Sequence, residues 1–313
     1  MKILSVIIGH RRVLNFLRKN IKNKRLSHAY LFSGPAHLGK KTIAFDFIKM
    51  LTGIEAGQAV HPDVLIVEPE ITEKNGIKKE SEISIVQIRE VQHRMNLFAY
   101  QAPYKIAVID RADKMTAEAG NCLLKTLEEP SGNAILILIT SNFQSLLPTI
   151  ISRCQLVNFL PVARKEIEKK LGYLYSGADI KKVMGLANGR PGLALEYLNK
   201  PELLDKQNKT ISDLEKLLNS NLNARYCYAE KIAKNTPEAR RILRYWLVWF
   251  RDLLLSAANC PDLALERNFS RYSGFYSLPK LKNIIQSIRR TDRLLANSSI
   301  NARLALEVLM LEL

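Results

Sequence analysis

Cysteine is scarce and scattered in this chain of 313 residues: Cys122, Cys154, Cys227 and Cys260 stand far apart, with no C-x-x-C pair. That spacing argues against a structural zinc. In a reducing compartment it argues equally against a disulfide framework. Cys122 and Cys154 lie in apolar or helical text and are expected to be small buried hydrophobes. Long apolar runs are missing too, since none reaches the roughly 18 residues of a membrane span. The apolar stretch at 3–8, ended by Gly9 and His10, is too short for the core of a secretory signal. A cytoplasmic protein without membrane contact is expected. Negative charge is the other shortage: 30 acidic residues face 47 basic ones, for a net +17. Such a field favours polyanions, nucleic acid above all, although solvated lysines alone give the same balance. The basic residues are spread over helical text, so any DNA surface must be assembled by folding.

The most specific absence is one hydroxyl. Gly34 to Thr42 read Gly-Pro-Ala-His-Leu-Gly-Lys-Lys-Thr after the apolar run Ala29-Tyr30-Leu31-Phe32. This is the phosphate-loop pattern G-x-x-x-x-G-K-[ST] with Lys41 where Ser or Thr belongs. Gly34 and Gly39 let the backbone wrap with its N–H groups inward, and Lys40 is placed to reach outer phosphates. The missing hydroxyl is the one that holds Mg²⁺. Thr42 does not replace it, because one residue along a helix turns a side chain by about 100°. The partner strand, Ile106-Ala107-Val108-Ile109-Asp110, ends in a carboxylate of the Mg²⁺-orienting kind. Asp110 reads either in that role, or as a cap of the sheet, or as a partner of Lys40 or Lys41. The next residue is Arg111, a permanent cation that accepts no proton, where a water-polarising glutamate stands in hydrolysing proteins. Together these changes describe a nucleotide-binding fold that has stopped hydrolysing. Residual weak binding of ATP, ADP or phosphate at the helix N-terminus remains open.

The surrounding pattern is parallel α/β. Helices are expected at 11–21, 40–51 and 85–95, and strands at 30–32, 64–67, 106–109 and 135–139. The last two are continuous apolar runs of the doubly buried kind. A further helix is capped by Thr116 and stopped by Pro130. The polar stretch 73–82, with Asn75-Gly76, reads as a loop or hairpin tip. After Pro161 strand signals cease. Short helices at 165–171, 179–186 and 193–198 precede an all-helical remainder. There Thr236-Pro237-Glu238 starts a helix whose wide apolar face includes Trp246, Val248 and Trp249. That width fits either a central core helix or a subunit contact.

These residues resemble the bacterial clamp-loader branch of the AAA+ ATPases over essentially the whole chain. The resemblance rests on Arg25-Leu26-Ser27-His28-Ala29-Tyr30-Leu31-Phe32-Ser33-Gly34-Pro35, on His61-Pro62-Asp63, on 110–115 with 121–130, and on 147–155, which contains Ser152-Arg153-Cys154. The close, 297–311, resembles the family's last collar helix. It implies an AAA+ P-loop domain at 1–162, a helical lid at 163–208 and an all-α collar for oligomerisation at 209–313. Residues 43–105 contain no cysteine, so the zinc module of motor (gamma/tau) subunits is absent. Gly192 falls where motor subunits carry a γ-phosphate arginine, with Arg190 two residues away. The sensor-1 position falls at Thr140. The non-motor, delta-prime type is thereby implied, with no zinc and a vestigial site at Gly34, Gly39, Lys40, Lys41, Thr42, Asp110 and Thr140. Arg153 is then an arginine finger acting in trans. The implied partners are motor and delta subunits and, through the assembled DNA polymerase III complex, the sliding clamp and primed DNA. Two other readings stand beside this one: an active ATPase using Thr42 and Asp113, and a nucleic-acid module unconnected to ATP.

Overall fold

Apolar runs without polar interruption must be covered on both sides, and this demand organises the first half of the molecule. A computed structural model describes residues 7–54, 61–74, 77–130, 132–173, 175, 177–258, 260, 269, 272, 275–297 and 300–313. Contacts divide the chain into two compact units, Met1–Leu195 and Glu196–Leu313. The first opens with α1 (Arg11–Lys22), β1 (Ala29–Ser33), α2 (Lys40–Thr52) and β2 (Val64–Val67). The hairpin β3 (Ile71–Lys74) and β4 (Ile77–Glu80) follows, then α3 (Ile85–Met95), β5 (Lys105–Ile109), α4 (Ala117–Glu128) and β6 (Ala134–Thr140). Next come α5 (Pro148–Arg153), β7 (Gln155–Asn158), α6 (Arg164–Leu171), α7 (Gly177–Ala187) and α8 (Pro191–Asn199), the last crossing the division between units.

Five strands form one parallel sheet in the order β2-β5-β6-β1-β7. Successive side chains alternate between its faces. Leu31, Ala107, Ile109, Leu136 and Leu138 pack with Ile88 and Val91 of α3, Leu123 of α4 and Ile150 of α5. Tyr30, Phe32, Val108, Ile137 and Ile139 pack on the other face with Leu17 of α1 and Ile43, Phe47 and Ile48 of α2. Burying each such side chain stabilises the fold by roughly 1.5–3 kcal/mol. The expected strands and helices are present with ends moved by a residue or two. Thr116 caps α4 by accepting from the Ala119 N–H. Strand β7 is an addition, because Gln155 and Asn158 break its apolar pattern at the sheet edge. The stretch at 73–82 includes parts of both paired strands, and the tip expected at Asn75-Gly76 lies outside the described residues.

The second unit holds α9 (Pro201–Leu218), α10 (Leu222–Ala233), α11 (Thr236–Ala257), α12 (Leu278–Leu294) and α13 (Ala302–Glu312). Its core gathers Trp246, Trp249, Phe250 and Leu253 of α11 with Leu281 and Ile288 of α12 and Leu306 of α13. Trp246 and Trp249 are fully buried, so their part of the α11 face is core, while Val248 is half-buried. The last helix begins at Ala302, capped by Asn301, later than the expected start at 297. Cys122 and Cys154 are half-buried rather than buried, and burial pushes the Cys154 thiol up to about 12. Among the described residues no helix is long and apolar enough to cross a membrane.

One carboxylate joins distant parts of the first unit. Asp63 is fully buried and accepts the N–H groups of Tyr100 and Gln101, both at 2.7 Å, and of Ala102 at 3.0 Å. The Lys105 ammonium stands 3.6 Å away. Burial alone would raise this carboxyl, but the three N–H groups and Lys105 hold it down at about 2. The loop it braces leaves Phe98 and Tyr100 in solvent. Because the folded carboxyl ionises below its unfolded value, its contribution is complete above about pH 4 and is lost as pH falls toward 2. Asp63→Asn is expected to lower stability by about 2 kcal/mol at pH 7. In urea unfolding at several pH values, the gap from the wild type should close between about pH 4 and pH 2.

Candidate nucleotide-binding site

Parallel pairing brings the ends of β1, β5 and β6 to one edge, with Ser33 beside Thr140 in register. The phosphate loop leaves β1 there. Gly34, at φ 151, lies so close to the Phe159 carbonyl that a Cβ would stand 2.4 Å from its oxygen. Gly39, left-handed at φ 85, is the N-cap of α2. The loop and helix of the expected cradle are therefore formed.

Its polar groups are engaged within the chain. Lys40 is buried and turns back into the loop, donating to the Gly34 and Pro35 carbonyls at 2.5 and 2.7 Å. Burial lowers its ammonium to about 8, against the pull of Asp110 and Asp113. Lys41 pairs with Glu68 and stands 3.6 Å from Asp110 Oδ2. Its ammonium also lies 5.6 Å from the Phe45 ring centre, within cation–π range. Burial pushes the Asp110 carboxyl up, while Lys41 pulls it down. Asp110 Oδ1 accepts the Arg111 N–H at 2.9 Å. Of the roles open to Asp110, the one realised is pairing with Lys41. Arg111, left-handed at φ 57, pairs with Glu80 of β4. The Thr140 hydroxyl is buried and donates to Asp113 at 2.9 Å, and Asp113 also accepts the Ser141 N–H. Asp113 thus braces two loops.

Thr42 lines a different space. With His10, Leu38, Gly39, Ile43, Pro191, Gly192 and Leu195 it bounds a cavity of about 50 Å³. Ligand pockets span roughly 300–1,000 Å³. Gly192 closes this side: its N–H donates to the His37 carbonyl at 2.8 Å, and a Cβ there would lie 2.8 Å from the same oxygen. Arg190 donates to the Ala187 carbonyl at 3.2 Å. The group implied by this loop is a Mg²⁺ nucleotide. The residues do not fit it, because the Lys41 ammonium stands 3.6 Å from Asp110, the carboxylate that would orient the metal.

Arg153 ends α5, away from these groups in sequence. Its Nη2 lies 2.7 Å from Glu128, and Nη1 donates to the Thr149 carbonyl at 3.1 Å. Both side chains of this pair are substantially exposed. Sequence reasoning missed three partners, Glu68, Glu80 and Glu128, because a surface carboxylate carries no local pattern. Asp63 was noted only as part of a motif.

Residues 9–163 match the family model described as DNA polymerase III, delta subunit. The delta-prime subunit of DNA polymerase III from Bacillus subtilis is 33% identical over 220 residues, covering 66% of this chain and 64% of that protein. Its counterpart from Pseudomonas aeruginosa is 30% identical over 216 residues, covering 63% of each. This chain therefore spans a little under two thirds of those relatives. A DNA polymerase III gamma subunit-related protein from Thermotoga maritima shares the fold, with TM-score 0.50 at 19% identity over 94% of this chain and 97% of that one.

The contact at Gly192 yields a test. Gly192→Arg puts back an arginine at the position where motor subunits carry one, yet its Cβ must push a backbone carbonyl aside. Lower thermal stability and no gain of ATP hydrolysis are expected. A variant as stable as the wild type, with ATP turnover, would show that the seam yields.

Proposed function

We propose that this chain is a member of the delta-prime family of DNA polymerase III clamp-loader subunits, to which its first half is similar, and a non-hydrolysing subunit of a loader that places the sliding clamp on primed DNA. It assembles with motor (gamma/tau) and delta subunits, and it acts on clamp and DNA through that assembly. The observation that carries the non-hydrolysing part is the pairing of Lys41 with Asp110 and Glu68. That pairing puts a fixed positive charge where hydrolysis needs a metal. Arg111 on Glu80 supports the same reading, since the residue that follows Asp110 is a cation and cannot serve as a base. Any phosphate or nucleotide binding at Gly34, Gly39 and Lys40 is weak and independent of Mg²⁺.

Arg153 is proposed as a finger toward a neighbouring motor's nucleotide. A planar guanidinium suits the charge on equatorial phosphate oxygens. Its present partner does not hold it firmly, because exposed ion pairs are worth about 0–1 kcal/mol. Exchange of Glu128 for a phosphate therefore costs little.

The purified chain is expected to release phosphate from ATP no faster than a blank. Steady release that persists through further purification and vanishes in Lys40→Ala would refute this. For Arg153, the measurement is DNA- and clamp-stimulated ATPase of the reconstituted loader. Arg153→Ala should assemble normally and slow the one site it faces by about 10³–10⁵. Total turnover falls only in part, clamp loading falls further, and Arg153→Lys rescues poorly. Arg190→Ala should be near neutral. Wild-type loading by the Arg153→Ala complex would leave this subunit with a structural role alone.

A further inference from the structure

Two carboxylates, Glu68 and Asp110, face the first helical turn after the phosphate loop, and a cation already sits on them. Glu68 follows β2 and Asp110 follows β5, adjacent strands of the sheet. The Asp110 side chain is mostly buried, and a mostly buried carboxylate needs a counter-charge. Lys41 supplies it from the position where the loop pattern puts a metal-binding hydroxyl. Its stem is fixed by the first turn of α2 and its ammonium is bounded by Phe45, Glu68 and Asp110.

We propose that the Lys41 ammonium is a built-in cation standing in for the divalent ion of the loop, and that removing it uncovers a divalent-cation site on Asp110 and Glu68. The inference rests on the reading of this loop as a degenerate nucleotide site, and it adds what became of the metal. An ammonium and a hard divalent cation compete for the same oxygens. The ammonium is covalently attached, so its local concentration is never limiting. Its single charge offsets one of the two carboxylate charges without a bound ion. Lys40 does not serve in this way, because its protons are given to the Gly34 and Pro35 carbonyls.

The test uses Mn²⁺ as the probe, with the full chain titrated and free Mn²⁺ followed by electron paramagnetic resonance. The wild type is expected to show no saturable binding below about 1 mM. Lys41→Ala should bind about one equivalent at least about tenfold tighter than the wild type, since a positive charge has left the site. Lys41→Arg should match the wild type, and Lys41→Ala with Asp110→Asn should lose the new site. Lys41→Met, which keeps an apolar stem over Phe45, serves if the alanine variant fails to fold. Equal Mn²⁺ binding by wild type and Lys41→Ala overturns the proposal, as does binding that survives Asp110→Asn. ATP hydrolysis by the wild type would count against the functional reading instead, so the two failures have separate readouts.

Discussion

Parallel pairing of β1, β5 and β6 is the constraint from which the site follows. Parallel strands carry all their carboxyl ends to one edge, and the registers put Ser33 beside Thr140 and Ile109 beside Leu138. The loop after β1, the carboxylate after β5 and the hydroxyl ending β6 are therefore neighbours whatever their chemistry. The sheet holds because its two faces are buried by different helices. That burial does not depend on the residues at the edge, so their chemistry can change without loss of the scaffold.

The polar groups at this edge are paired internally. Buried polar and charged groups require partners, and here the partners come from the chain. Lys40 bonds to loop carbonyls, Lys41 to Glu68 and Asp110, Thr140 to Asp113, and the Gly192 amide to His37. Each pairing is modest in free energy. Together they leave the groups that would greet a nucleotide already occupied.

Much of this was legible beforehand, and the reasons are local. The strands were visible as unbroken apolar runs, α4 through its Thr116 cap, and the loop through two glycines and a lysine at fixed spacing. The substitution at Lys41 was visible too, because a pattern states what is missing. Strand β7 was not, since an edge strand with Gln155 and Asn158 lacks the apolar signature. The acidic partners were invisible for another reason. Glu68 lies 27 residues from Lys41 and Glu80 lies on the hairpin, so only the folded chain brings them near. The width of the α11 face left core and contact surface undecided, and only the burial of Trp246 and Trp249 separates them.

The seam between His37 and Gly192 has a consequence for how this subunit answers signals. A ligand moves a conformational equilibrium only by as much as it prefers one state over the other. The Gly192 N–H on the His37 carbonyl ties the first turn of α8 to the loop, with no side chain at 192 to exchange one partner for another. At this position a ligand in the loop has no side chain on which to exert a preference. In an assembly whose other members respond to nucleotide, such a unit is a fixed reference against which their displacements are measured.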